Sequence, residues 1–279
     1  MGTPAIAHFG TTIIEEAPNE GVDQKQVPIT GALADTLQFL EIFGFEPAME
    51  NMYPGMGRQY IWRRGRMEDV DYIEKDSFTS YAAVSRPRSP GPRVGDTVFR
   101  LTHADPVGVF RELDAKGLVR VQDEPQREAF LGGARAWLLM TGPDGQLYEL
   151  GATQPTVADN HTVYIWTADE RLEAVSRSYA EHFGLQPSTG SAEDFHGIGQ
   201  VLRLRRDTPG LTIGLLHRSV DGLEERWSDD IFKEAGYSHF RLGALDKPVT
   251  EAATRQAFPP GGDVSFVYFE DSYLELVQA

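Results

Sequence analysis

The chain has 279 residues, 41% hydrophobic and 24% charged, and its 42 acidic against 26 basic residues give a formal charge of −16. Such a chain can bury a sizeable core as one large domain or two of ordinary size, and its acidic balance argues against nucleic acid as a partner. No run approaches the ~18 apolar residues of a membrane span, and with no secretory pattern the cytoplasm is the expected compartment. With no cysteine, disulfides, iron–sulfur clusters and thiolate ligation are excluded, so any metal must use His and carboxylates.

In chain order, a β-like segment AIAHFGTTII opens the chain and a polar insert, EEAPNEGVDQKQVP (15–28), follows as an expected surface loop. An amphipathic helical stretch then ends in FLEIFGFEP (39–47), where Gly44 breaks it. After the Pro/Arg-rich loop SRPRSPGPRVG (85–95), VFRLTHADPV (98–107) reads as a strand, an Asp-Pro helix start and the beginning of a helix. GPDGQLYELGA (142–152) reads as a tight Asp-Gly turn between two strands, and GATQPTVADN (151–160) joins the two halves.

The second half echoes the first. NHTVYIWT from residue 160 is β-like, and YAEHFGLQP (179–187) repeats the helix that ends at a glycine, here Gly184. RLRR at 203–206 alternates apolar and basic residues, as a strand with one wet face does. HFRLGALDKPV (239–249) echoes the earlier Phe-Arg-Leu, with a helical pattern VTEAATRQAF behind it, and FEDSYLELVQA (269–279) echoes GPDGQLYELGA. Four units follow, near 4–88, 94–154, 159–218 and 236–279, the last short enough to lack a strand. The last of these echoes places Glu275 in an apolar strand. Either it faces solvent on the alternate side of the strand, or a cation such as a metal pairs with it.

Repeated strand–helix–strands units whose halves close on a turn and an x-Glu-Leu strand resemble the vicinal oxygen chelate superfamily. That group includes glyoxalases, bleomycin-resistance proteins and extradiol dioxygenases. The resemblance implies an α+β fold of four βαβββ modules paired into two cupped open barrels. Residues 1–154 would form one domain and 159–279 the other. In that superfamily, ligands come from the opening strand of each unit and from the last strand of a unit. The C-terminal half then supplies His161, His239 and Glu275, while the N-terminal half offers His8, Val98 and Glu149. Valine cannot bind a metal, so the resemblance implies one loaded cup and one that has lost its site, with Glu149 structural.

Two imidazoles and a carboxylate leave up to three coordination positions open, which suits Fe(II) with a bidentate substrate and dioxygen; Mn(II) or Zn(II) fit the same donors. The first expectation is therefore an extradiol-dioxygenase-like oxidoreductase acting on a small catechol-like or other vicinal-oxygen substrate. Tyr268 and His217 are its candidate second-sphere groups. Gly214 aligns where a fourth ligand would come from, so none is expected. A glyoxalase-type isomerase or lyase and a metal-free drug-binding module are the alternatives, and a homodimer is compatible with the sequence. His103, His182 and His196 read as surface or satisfied residues. Aromatic residues at 60, 62, 164, 166, 237 and 268 are expected to line the sheets.

Overall fold

The protein is described by a computed structural model. It describes residues 6–15, 31–53, 57–64, 71–79, 93–133, 137–152, 162–188, 192–205, 212–218, 238–242, 254–256, 264–270 and 272–277. The insert at 15–28 therefore lies outside the described residues, apart from its first position.

The four units appear in order. The first contains β1 (Ile6–Glu15), α1 (Gly31–Ile42), β2 (Glu46–Tyr53), β3 (Gly57–Arg64) and β4 (Asp71–Thr79). The second contains β5 (Thr97–His103), α2 (Pro106–Ala115), α3 (Glu124–Leu131), β6 (Trp137–Thr141) and β7 (Leu147–Ala152). Among its described residues an isolated bridge also pairs Arg120 with Thr141. The third contains β8 (Thr162–Trp166), α4 (Leu172–Phe183), β9 (Gln186–Pro187), β10 (Glu193–Phe195), β11 (Gly199–Arg205) and β12 (Thr212–His217). The fourth contains β13 (Ser238–Leu242), β14 (Thr254–Gln256), β15 (Val264–Phe269) and β16 (Ser272–Val277). A helix was expected over VTEAATRQAF, but three of its residues form β14, which pairs with β15. No helix among the described residues is long and apolar enough to cross a membrane.

Local signals account for these boundaries. Asp105 caps α2 by accepting a hydrogen bond from the Gly108 amide at 2.9 Å, with Pro106 in the first turn. Gly44 (φ 81°) and Gly184 (φ 66°) follow α1 and α4 in the left-handed region that stops a helix. The Asp144-Gly145 turn closes the β6–β7 hairpin, with Gly145 at φ 75°.

The fold is mixed α+β, and the described strands form two unclosed eight-stranded sheets. The first runs β14-β15-β16-β13-β1-β4-β3-β2, and the second runs β10-β11-β12-β8-β5-β7-β6 with β9 beside β11. This corrects the expected pairing of units within each half. Unit one pairs with unit four through β1 and β13, and unit two pairs with unit three through β5 and β8. The physical reason is the short connection 153–161, which leaves β8 beside β5 in the second sheet. The first and last units then pair with each other.

The second sheet has two contrasting faces. Phe99, Leu101, Tyr148, Leu150, Val163, Ile165, Ile213 and Leu215 point one way and bury against the four helices. Helix α1 of the first unit shares this core, its Phe39 ring meeting Tyr148 at 5.0 Å between centroids. Alternate residues on the same strands make the other face, where Val98, Tyr164, Trp166, Phe195, Val201 and Leu216 form a separate apolar cluster.

Candidate functional site

The two sheets share one plan at their centres. Phe9 of β1 stands opposite Phe240 of the antiparallel β13, with His8 opposite Arg241 and Gly10 opposite His239. Half a turn about the Phe9–Phe240 pair exchanges His8 with His239 and Gly10 with Arg241. The flanking parallel strands obey the same symmetry: Gly10 stands opposite Glu74 on β4, and Arg241 opposite Glu275 on β16. Residues opposite one another in a ladder share a face. His8, Glu74, His239 and Glu275 thus occupy one face of four adjacent strands as two symmetry-related His/Glu pairs. A register shift between Ile6 and His8 marks a bulge just before the first histidine.

Of the expected residues, His239 and Glu275 thus come together on this face, and Tyr268 joins them, opposite Tyr273 on β15–β16. His161 lies outside the described residues. The strand beginning at Thr162 belongs to the second sheet, so it is not among the strands that carry His239 and Glu275. His217 is also in the second sheet, at the end of β12. Its Nδ1 lies 2.7 Å from Asp169 Oδ1, and its ladder position is on the face opposite to Gly214. It is therefore not placed to serve Tyr268 or Glu275. Among residues whose side chains are described, no group of three or more His, Asp or Glu residues is arranged to hold a metal; those of His8, Glu74, His239 and Glu275 are not described.

Sequence reasoning set His8 aside and missed Glu74, although two repeated motifs marked both. His8-Phe9 matches His239-Phe240, and Tyr72-Ile73-Glu74 matches Tyr273-Leu274-Glu275. The pairing of units hid them. A fourth position was sought in unit three, where Gly214 stands, and not in unit one.

The second sheet carries the same plan with different residues. Its central pair is Phe99–Val163, preceded by Val98 and Thr162 where the first sheet has His239 and His8. Arg100 stands opposite Glu149, as Arg241 stands opposite Glu275, and Tyr164 stands opposite Gly214, as Gly10 stands opposite Glu74. Only Glu149 keeps a donor suited to a metal. It is 3% exposed, and Arg100 Nε donates to its Oε2 at 2.6 Å. Tyr164 donates to the same oxygen at 2.9 Å, and His196 Nε2 lies 2.9 Å from Oε1.

The Tyr164 hydroxyl in turn accepts from Arg100 Nη2 and, at 3.2 Å, from Arg203 Nη1. The guanidinium of Arg100 stacks 3.9 Å over Trp137. Burial alone would raise the Glu149 carboxyl, but the His196 hydrogen bond and the Arg100 charge outweigh it and hold the group below the usual carboxylate range. Burial, and the negative charge of Glu149, push the Tyr164 phenol upward, so it stays a protonated donor. His196 was expected to be a surface or satisfied residue, and it is satisfied, with its ring on Glu149. It sits in the β10–β11 turn at φ 52°, pinned by Gln126 Nε2 donating to its carbonyl at 2.7 Å.

No protein-family model and no curated protein matches the sequence. Solved structures do. Glyoxalase I from Zea mays superposes with a TM-score of 0.59 at 15% identity, over 99% of this chain and 92% of that one. A point variant of the same enzyme gives a TM-score of 0.63 at 15% identity, over 99% and 94%. The fosfomycin resistance protein FosX from Listeria monocytogenes matches 54% of this chain at 14% identity, but its TM-score of 0.33 is too low to carry an argument. The chain has the fold of glyoxalase I.

Proposed function

We propose that this chain is a divalent-metal-dependent enzyme of the glyoxalase type, with its metal held by His8, Glu74, His239 and Glu275. The observation that carries the reading is the twofold ladder pattern, which brings two His/Glu pairs to one face of four adjacent strands. The donors fit a divalent ion: two neutral imidazoles and two carboxylates suit Zn(II) or Mn(II), with Fe(II) also compatible. The number of donors bears on the reaction. Four protein ligands leave two positions of an octahedral ion, enough for two adjacent substrate oxygens but not for dioxygen as well. A redox-silent isomerase or lyase therefore fits better than the dioxygenase expected from three ligands.

When bound, such an ion supplies Lewis acidity that lowers the pKa of a substrate hydroxyl and stabilises charge on the neighbouring oxygen. The protein's own part is proton movement. A carboxylate at Glu74 or Glu275 takes the proton from the carbon that bears the hydroxyl and returns it to the adjacent carbonyl carbon. The hydroxyl proton passes to the former carbonyl oxygen, so hydroxyl and carbonyl exchange carbons with no net oxidation. Tyr268, on the same face one strand beyond Glu275, donates a hydrogen bond to a substrate oxygen.

The test is anaerobic turnover of α-hydroxycarbonyl compounds and thiol–oxoaldehyde adducts by protein reconstituted with Zn(II) or Mn(II), beside oxygen uptake with catechols. Isomerised product formed without oxygen supports the proposal. Turnover that requires and consumes oxygen overturns it.

A further inference from the structure

We propose that the second sheet holds a self-satisfied centre, in which Arg100 is a permanent built-in cation for Glu149, so that this centre takes no metal. The inference uses the metal reading of the first sheet only as a comparison, and its test concerns the second sheet alone.

Four observations converge on it. First, Glu149 has the ladder position of Glu275, but the histidine positions beside it hold Val98 and Thr162, and the remaining carboxylate position holds Gly214. Second, that glycine cannot be replaced by a ligand residue without moving its neighbour, because a Cβ there would lie 2.2 Å from Tyr164 Cδ1. The Tyr164 ring lies in this cup at the position where the first sheet has Gly10, which carries no side chain. Third, both oxygens of Glu149 are committed, Oε2 to Arg100 and Tyr164 and Oε1 to His196. An incoming ion would have to displace these partners. Fourth, Arg100 is itself only 4% exposed, fixed by the carboxylate, the Tyr164 hydroxyl and the Trp137 ring.

Arg241 stands at the matching position in the first sheet, next to two histidines; in the second sheet those two positions hold Val98 and Thr162, and the one histidine at the carboxylate, His196, meets Oε1 and leaves Oε2 to Arg100 and Tyr164. A planar guanidinium can meet both a carboxylate and a phenol oxygen in fixed directions, which a lysine ammonium does not reproduce. The centre is thereby locked to a cation that can neither dissociate nor be chelated.

Chemical rescue tests this. In Arg100→Ala, Glu149 faces a vacant cation position, and the melting temperature should fall by roughly 6–15 °C. Low-millimolar guanidinium or methylguanidinium should restore part of that loss, whereas equal urea or sodium chloride should not. The double variant Arg100→Ala/Glu149→Gln should show no rescue. Rescue that is equal in the double variant, or absent from a folded single variant, overturns the proposal. If the single variant does not fold, the wild-type protein still decides. Its 15N–1H spectrum should contain a slowly exchanging arginine Nε–H that disappears in Glu149→Ala. Absence of any such signal from the wild type overturns the built-in cation directly.

Discussion

Replacing Glu149 with glutamine isolates the charge of the buried network from its shape. The amide is isosteric, its oxygen can still accept from Arg100 and Tyr164, and its NH2 can donate to the other tautomer of His196. What is lost is the negative charge, which leaves Arg100, 4% exposed, without a fixed counter-ion. Breaking a buried pair in this way costs about 3–5 kcal/mol, equivalent to roughly 6–15 °C in melting temperature for a chain of this size. The control is Glu193→Gln, which removes the partner of Arg203 at 3.1 Å. Because Glu193 is 60% exposed, that change should cost at most about 1 kcal/mol.

Acid provides a second axis. The Glu149 carboxyl is held below its usual range in the folded state. Its contribution is therefore fully present above the unfolded-state value, about 4.3, and is lost as pH falls through the folded value. The gap between wild type and Glu149→Gln should close over that acidic window. Urea unfolding followed by tryptophan fluorescence from neutral to acidic pH measures both effects. Equal midpoints for the two variants at neutral pH, or a gap that acid leaves unchanged, would refute the reasoning.

Other expectations follow from the same geometry. Tyr164→Phe removes a hydroxyl that accepts from two arginines and donates to Glu149. Chemical denaturation should show a loss of about 1–3 kcal/mol, with native circular dichroism retained. Gly214→Ala forces a Cβ to within 2.2 Å of Tyr164 Cδ1 and should cost about 1–3 kcal/mol, relieved when Tyr164 is also reduced to alanine. Phe39→Ala removes a fully buried ring from the core that α1 shares with the second sheet. It should cost about 3–5 kcal/mol, measured by thermal melting.

Much of the fold was legible because its signals are local. Gly44, Gly184, Asp105-Pro106 and Asp144-Gly145 each settle a helix or turn boundary by backbone preference alone. Strand partners are not local. Which opening strand faces which depends on connection lengths and on the burial of whole faces, so the repeat showed four units without showing that the first pairs with the fourth. That one missing fact redirected the candidate site. It joined His161 to His239 and Glu275, although the ladders bring His8 and Glu74 to the same face as those two. The partner that satisfies His196 was not legible for another reason: its placement depends on a turn held by Gln126 from a different unit. Val98 against His239 was readable from the shared Phe-Arg-Leu, and the ladders reproduce that alignment.

The most direct test is metal content, measured on metal-reconstituted protein for the wild type beside Glu74→Gln, His8→Ala, His239→Ala and His161→Ala. Near-stoichiometric metal in the wild type and in His161→Ala, lost in the other three, is the predicted result. Metal lost in His161→Ala but retained in Glu74→Gln and His8→Ala would contradict the four-strand centre.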